Sequence, residues 1–338
     1  MPSIDPDTSK NRQAVHVAVG IVQDRKGRVL LAQRPAGGHQ GGKWEFPGGK
    51  VAAGEGVRAA LVRELREELG IITTAAYPLL RTAHHYAERD VLLDVWRIVH
   101  YVGEAYGREG QSVRWMPLHA LPACDLPEAD RPILRALDLP SLYLVSAAGY
   151  LGVEPFLAQL EQLLRAGLRL LQLREKQLSD PEFLHLARRT VALCHRYGAK
   201  VLVNAAPDVV AACGADGVHL NSVRLRAARM RPLSHDLLVA ASCHDAAELR
   251  AARDLGVDLV VLSPVQATAS HPDATPLGWK GLQEMSEIVG APVYALGGMR
   301  ADDLARARDH GAHGLAMISG VWNVQNPATV VQTICGNP

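Results

Sequence analysis

From residue 142 onward, short apolar runs alternate with helix-compatible stretches, and this rhythm constrains the fold more than any other feature of the chain. Eight such runs stand at 142–145, 168–173, 200–204, 217–220, 237–241, 259–262, 293–296 and 314–318, separated by stretches such as 180–197, 245–255 and 302–310. Strands buried on both faces read as continuous apolar runs, and regular βα alternation implies a parallel sheet with right-handed crossovers. Eight units in about two hundred residues predict a closed (β/α)8 barrel. The alternative is an open doubly wound sheet, but no GxGxxG phosphate loop follows the first strand.

A barrel carries its site at the C-terminal strand ends. Polar residues gather there: Gln172, Arg174 and Lys176; Asn204; His219; Ser242 and His244; Ser263; Gly297 and Gly298; Ser319. The last three follow runs seven and eight, where backbone N–H groups commonly cradle phosphate, so a phosphorylated small ligand is expected. His244 reads equally as a proton carrier or as a hydrogen-bonded structural histidine.

Upstream the pattern differs. Alternating β-rich runs at 15–22, 29–34, 91–102 and 113–116 predict a mixed sheet, with helices at 57–69 and near 131–137, before Leu139-Pro140-Ser141 interrupts. At 338 residues the chain has room for two cores. The expected domains are 15–138, an α/β/α sandwich, and 141–335, the barrel.

Within the first domain, residues 49–71 place glycines and then a helix carrying Arg63, Glu64, Glu67 and Glu68. At roughly 100° per residue from Val57, Glu67, Glu64 and Glu68 fall at about 280°, 340° and 20°, beside an apolar flank of Leu61, Leu65 and Leu69. Three carboxylates in one arc repel unless cations neutralise them. One reading is a solvated acidic face neighboured by Arg58, Arg63 and Arg66; the other is a seat for Mg²⁺ or Mn²⁺, which prefer hard oxygen ligands. Pro47-Gly48-Gly49 and Glu55 favour the second, since glycine lets the backbone approach a metal.

The pattern G-x5-E-x7-R-E-U-x-E-E-x-G-U, with U apolar, is met by Gly49, Glu55, Arg63, Glu64, Leu65, Glu67, Glu68, Gly70 and Ile71. This resembles a Nudix box, and VHVAVGIV, LLAQRP, KWEFPGGK, YGREGQ and WMPL extend the likeness from Val15 to Leu137, most closely to the MutT branch that removes oxidised guanine nucleotides. The resemblance implies Glu64, Glu67 and Glu68 as metal ligands with a carbonyl of Gly48 or Gly49, Arg63 and Glu55 as their fixing partners, and Glu109 as a further ligand or base. It implies attack of water on a nucleoside triphosphate, releasing pyrophosphate without a protein nucleophile. Arg34 and His39 match positions near the nucleotide, with Phe46 and Arg89 as pocket walls. Where that branch has an Asn that reads the oxidised base, this chain has Asp130, which only accepts hydrogen bonds when ionised and is driven toward its neutral form by burial.

The second half resembles the thiamine-phosphate synthase and TenI superfamily, through LYLV, LLQLREK, VLVNAAPD, GADGVHL, SCHDAAEL, TPLGWKGL, ALGGM and GLAMISGVW. The synthase pattern has two Mg²⁺-binding Asp residues; here Ala205 takes the first place and Val223 or Arg224 the second. A following basic residue is replaced by Ala206, and the Thr-rich loop keeps Thr268 and Ser270 but has His271 for Lys. The resemblance therefore implies a barrel without synthase activity, serving as a TenI-like tautomerase or ligand sensor, with His244 as its proton carrier.

A formal charge of +1 gives no polyanion groove, so no direct DNA or RNA binding is expected. Five scattered cysteines without CxxC spacing read as buried thiols in a reducing cytoplasm. The polar first 14 residues are no signal peptide, and no apolar run reaches about 18 residues. The expectation is a cytoplasmic, magnesium-dependent 8-oxo-dGTP diphosphatase with a thiamine-phosphate synthase-like barrel. The alternative is a thiamine-pathway protein, whose barrel handles thiazole phosphate and whose Nudix half hydrolyses pyrimidine or thiamine diphosphates.

Overall fold

In the computed structural model, which describes residues 14–37, 40–268 and 274–336, the run VHVAVGIV forms β1 (Val15–Val22). It is followed by β2 (Val29–Gln33), β3 (Trp44–Glu45), β4 (Gly48–Lys50), α1 (Val57–Leu69), β5 (Ile72–His85), β6 (Asp90–Val102), β7 (Val113–Met116) and α2 (Arg131–Asp138). Two sheets result, one ordered β4-β1-β6-β5 and one β3-β2-β7. The first is mixed, because β1 runs parallel to β6 and antiparallel to β4.

Gly20 on β1 lets α1 lie close to the sheet: a Cβ there would stand 2.9 Å from Leu65 Cδ1 and 3.4 Å from Leu61 Cδ1. Leu61, Leu65 and Leu69 are fully buried, each contributing about 1.5–3 kcal/mol of apolar transfer. The helix stops at Gly70, which is left-handed at φ 72° and donates its N–H to Arg66 O. Leu65→Ala is expected to cost about 2–5 kcal/mol, read as a lower urea midpoint of the full chain; a loss under about 1 kcal/mol would show that this contact does not hold α1 down.

Three strands of this half, β3, β4 and β5, are not among the runs expected from the sequence. The strand β5 carries Pro78, which breaks its pattern but is tolerated because β5 is an edge strand. The Gly48-Gly49 segment is strand β4, pairing Ala18 with Gly49 and Val19 with Gly48. Gly48 sits at φ 149°, and a Cβ on it would be 2.1 Å from Ala18 O, so only glycine fits.

The second half is a closed barrel of eight parallel strands: β8 (Leu142–Val145), β9 (Leu170–Leu173), β10 (Lys200–Val203), β11 (Gly217–Leu220), β12 (Leu238–Cys243), β13 (Leu259–Leu262), β14 (Val293–Ala295) and β15 (Gly314–Met317). Between and after them lie α3 (Ala148–Leu151), α4 (Val153–Arg165), α5 (Asp180–Arg196), α6 (Asp208–Cys213), α7 (Ser222–Ala227), α8 (Ala246–Leu255), α9 (Gly278–Val289), α10 (Asp303–Asp309), α11 (Ser319–Trp322) and α12 (Pro327–Cys335). The period of two divides each strand: Leu142 and Leu144 face the helices, whereas Tyr143 joins Leu170, Leu202, Leu259 and Tyr294 in the barrel interior. The second strand starts at Leu170, not 168, because Leu168 closes the end of α4 by donating its N–H to Leu163 O.

By chain contacts the protein divides into two compact units, Met1–Tyr77 with Arg81–Leu134, and Pro78–Leu80 with Arg135–Pro338. Cys194, Cys213 and Cys243 are buried thiols, but Cys124 and Cys335 are only partly buried, which corrects the expectation for those two. Among the described residues no helix is long and apolar enough to cross a membrane.

Candidate functional site

In the first unit, α1 brings its acids to the edge of β4 with unequal roles. Arg63 is the hub. Its Nε and Nη2 donate to the Glu55 carboxylate at 3.0 and 2.9 Å, and its Nη1 to Glu64 Oε1 at 2.7 Å and Glu67 Oε2 at 3.2 Å. The Arg63 fork, together with the Ala52 N–H, holds the Glu55 carboxyl down at about 2, and Glu55 and Glu64 in turn raise the Arg63 guanidinium. Glu67 is left on the exposed side.

Glu68, one turn after Glu64, lies against β4 and accepts the Gly48 N–H at 3.2 Å. Burial first, then the charges of Glu45, Glu64 and Glu109, pushes its carboxyl up to about 8. Glu109 reaches this cluster because its loop docks on the end of α1: Arg108 N–H and the Gln111 amide donate to Glu68 O at 2.9 and 3.1 Å, and Gln111 Oε1 accepts the Glu109 N–H at 2.9 Å. A Cβ on Gly49 would fall 2.1 Å from the Glu64 carboxyl carbon, so the glycine is what lets Glu64 reach β4.

Among the described residues, no three His, Cys, Asp or Glu side chains are grouped to hold an ion by themselves, since Arg63 draws Glu64 and Glu67 to itself. Magnesium does not need such a cage: it keeps several waters and takes one or two carboxylates together with substrate phosphates. The donor chemistry here, carboxylate oxygens beside a side-chain-free glycine strand, fits that mode.

Beyond the acids lies a second buried group. Asp130, in the single turn Glu128–Asp130, is 7% exposed; its carboxyl accepts the Phe46 N–H, while Oδ2 has no partner. Burial, reinforced by Glu45 and opposed by Arg34, pushes it up to about 8. Arg34 pairs with Glu45 on β3. Phe46 is buried at the same place. From the β5–β6 hairpin it is Tyr86, whose hydroxyl accepts the Ala129 N–H at 3.2 Å, that meets the Asp130 segment. Arg89 lies in the hairpin turn, its carbonyl accepting the Tyr86 N–H. His39 lies outside the described residues. Glu45 and Tyr86 were not foreseen: each comes from a different strand end, and neither carries a spacing that links it to the box.

In the barrel, a cavity of about 1420 Å³ opens at the C-terminal strand ends, bordered by Gln172, Arg174, Lys176, Asn204, Ser242, His244, Ser263, Thr268, Gly297, Gly298 and Ser319. Beneath it runs a polar chain. His219 is fully buried in the interior and not at the cavity, and burial pushes it down to about 3, so it is neutral. Its Nδ1 faces the Tyr143 hydroxyl at 3.0 Å and the Gln172 amide nitrogen at 3.2 Å, both donors, which leaves Nε2–H to donate to Ser242 Oγ at 2.8 Å. Gln172 Oε1 accepts from the Asn204 amide at 3.0 Å, and Asn204 Oδ1 from Arg224 Nη1 at 3.4 Å. His244 Nδ1 stands 2.8 Å from Ser263 O; a carbonyl only accepts, so Nδ1 carries a proton and donates it there.

The family model for thiamine monophosphate synthase matches residues 142–321, and that for the NUDIX domain residues 18–136. A putative thiamine-phosphate synthase 2 of Aquifex aeolicus is 39% identical over 183 residues, 54% of this chain and 98% of that protein. An 8-oxo-dGTP diphosphatase of Escherichia coli is 36% identical over 123 residues, 36% of this chain and 95% of that protein. Among solved structures, a thiamine phosphate pyrophosphorylase from Pyrococcus furiosus is 25% identical, covering 58% of this chain and 94% of its own, with a TM-score of 0.49. The chain belongs to the thiamine monophosphate synthase family through its barrel and carries, ahead of it, a MutT-like Nudix hydrolase domain.

Proposed function

We propose that residues 15–138 act as a magnesium- or manganese-dependent nucleoside triphosphate pyrophosphohydrolase, with 8-oxo-dGTP as the preferred substrate. The observation that carries this is the placing of Glu64 against Gly49 and of Glu68 against Gly48, where Glu68 also feels the charge of Glu109, with the buried, half-satisfied Asp130 carboxyl in the same unit. Glu64, Glu68 and Glu109, with the Gly48–Gly49 backbone, would hold the cation, and Glu67 stands ready on the exposed side. A bound divalent cation neutralises the triphosphate and lowers the pKa of water. The protein's own contribution is positional: Arg63 ties Glu55 to the helix and so fixes the loop before α1, while Asp130 and Phe46 offer a polar edge and an apolar wall to a base. Arg34, His39 and Arg89 complete the proposed nucleotide contacts. The reading includes a cytoplasmic location and, in keeping with a charge of +1, no nucleic-acid partner.

The barrel, residues 141–335, is proposed to bind a phosphorylated small molecule without synthase activity. Ala205 and Arg224 stand where the synthase pattern has its two metal-binding Asp residues, with Ala206 in place of the following basic residue, and His244, which borders the cavity, supports a proton-transfer role. The deciding experiment is a substrate panel on the full-length protein, with and without Mg²⁺: 8-oxo-dGTP, dGTP and hydroxymethylpyrimidine diphosphate. We expect kcat/KM for 8-oxo-dGTP to exceed that for dGTP by about 10²-fold, the upper end of what leaving one buried polar group unsatisfied costs. Preference for the pyrimidine diphosphate would overturn the assignment in favour of the thiamine-pathway reading.

A further inference from the structure

Three cations border the barrel cavity without a carboxylate partner. Arg174 follows β9, Lys176 stands two residues on, and Arg224 lies on α7. None of the three makes an ion pair among the described residues. None of the carboxylates that share the cavity wall pairs with them. Glu175 is buried, with Oε1 accepting from Ser146 Oγ at 2.5 Å and the Ala148 N–H at 2.9 Å, and Oε2 from the Gly149 N–H at 2.7 Å. Asp180 and Asp208 are exposed first residues of α5 and α6, where the unpaired N–H groups of a helix start already favour them.

Arg224 is the informative member. It is half-buried, and of its five guanidinium N–H donors one makes a long 3.4 Å contact to Asn204 Oδ1. A partly desolvated guanidinium with open donors is costly until an anion fills them, and its planar fork matches two oxygens of one phosphate. A divalent cation has the opposite problem. Beside Arg224 it would meet a fixed positive charge, the amide oxygen of Asn204 and the methyl groups of Ala205 and Ala206, a set that does not fit Mg²⁺.

We propose that the barrel binds the phosphate or diphosphate group of its ligand directly on Arg224, Arg174 and Lys176, with no divalent cation in that site. This rests on the reading of the barrel as a phosphorylated-ligand site, and it separates the two halves of the chain by cofactor: metal in the first, arginine in the second.

The test is calorimetric titration of the full-length protein with inorganic phosphate and with inorganic pyrophosphate, in EDTA. Wild type is expected to bind pyrophosphate more tightly than phosphate; Arg224→Ala weakens pyrophosphate binding at least about tenfold, and Arg224→Lys, which keeps charge without the fork, falls between. The graded lysine result distinguishes lost recognition from lost folding. Pyrophosphate binding in EDTA that ignores both Arg224→Ala and Arg174→Ala would overturn the proposal. So would binding that appears only with Mg²⁺ and survives Glu64→Gln, an outcome that leaves the phosphorylated-ligand reading standing. No binding of either anion in either buffer would remove that reading itself.

Discussion

Glu68→Gln and Glu64→Gln are each expected to lower Mg²⁺-dependent pyrophosphate release by about 10²- to 10³-fold, the scale of removing one charge-stabilising group at a reacting centre. Glutamine preserves shape. The carbonyl of Gln at 68 can still accept the Gly48 N–H now held at 3.2 Å, so α1 stays docked and the loss reports charge. Glu67→Gln is expected to cost less than about tenfold, because Glu67 is the exposed member, paired with Arg63 across one helical turn. The order matters more than the size. A helical wheel treats the three acids as equivalent, whereas the folded chain puts Glu64 and Glu68 against β4 and turns Glu67 away. The measurement is pyrophosphate release against Mg²⁺ concentration for the three variants, with circular dichroism to confirm folding. Full turnover in Glu68→Gln, or Glu67→Gln as the most damaged of the three, would show that the acids at β4 are not the metal seat.

The barrel was legible because each of its strands is buried on both faces, which turns topology into a count of apolar runs. Even the position of His219 was implicit: Val218 and Leu220 pack outward against the helices, so parity sends the residue between them into the interior, among Tyr143 and Gln172. The Nudix half was legible at its helix, where nine residues in a fixed spacing record a set of contacts, of which Arg63 to Glu55 is one. It was not legible where contacts join distant strands without a repeat. Glu45 pairs with Arg34 eleven positions away, Tyr86 meets Ala129, and β5 hides behind Pro78 on a sheet edge. In the barrel the missing carboxylates were visible in Ala205 and Arg224, but the saturation of Glu175 by a neighbouring loop could only come from the fold.

Asp130 is expected to give the protein a pH dependence that a single substitution removes. Its folded carboxyl is pushed up to about 8 against an ordinary 3.8, raised by burial and by Glu45 and opposed by Arg34 and the Phe46 N–H; Tyr86 is the other ionisable group that feels its charge. A raised carboxyl binds its proton more tightly in the folded state. Its contribution to stability is therefore complete below about 3.8 and is lost progressively as pH climbs through about 8. Asp130→Asn, neutral at every pH and of the same shape, should raise Tm over wild type by an amount that grows between pH 5 and pH 8.5. Selectivity follows the same proton. While protonated, the acid offers one acceptor and one donor, as an amide does, and can satisfy both the N7–H and the O6 of an oxidised guanine; once ionised it only accepts and repels O6. The ratio of kcat/KM for 8-oxo-dGTP over dGTP should then fall at least about tenfold in wild type from pH 6.5 to pH 9, the worth of one charge-mismatched hydrogen bond, and stay level in Asp130→Asn. Using the ratio cancels the titration of the metal-bound machinery, which both substrates share. A ratio that moves equally in both proteins would place Asp130 outside the base pocket, and a Tm difference constant across pH would show that its carboxyl is ionised in the folded chain.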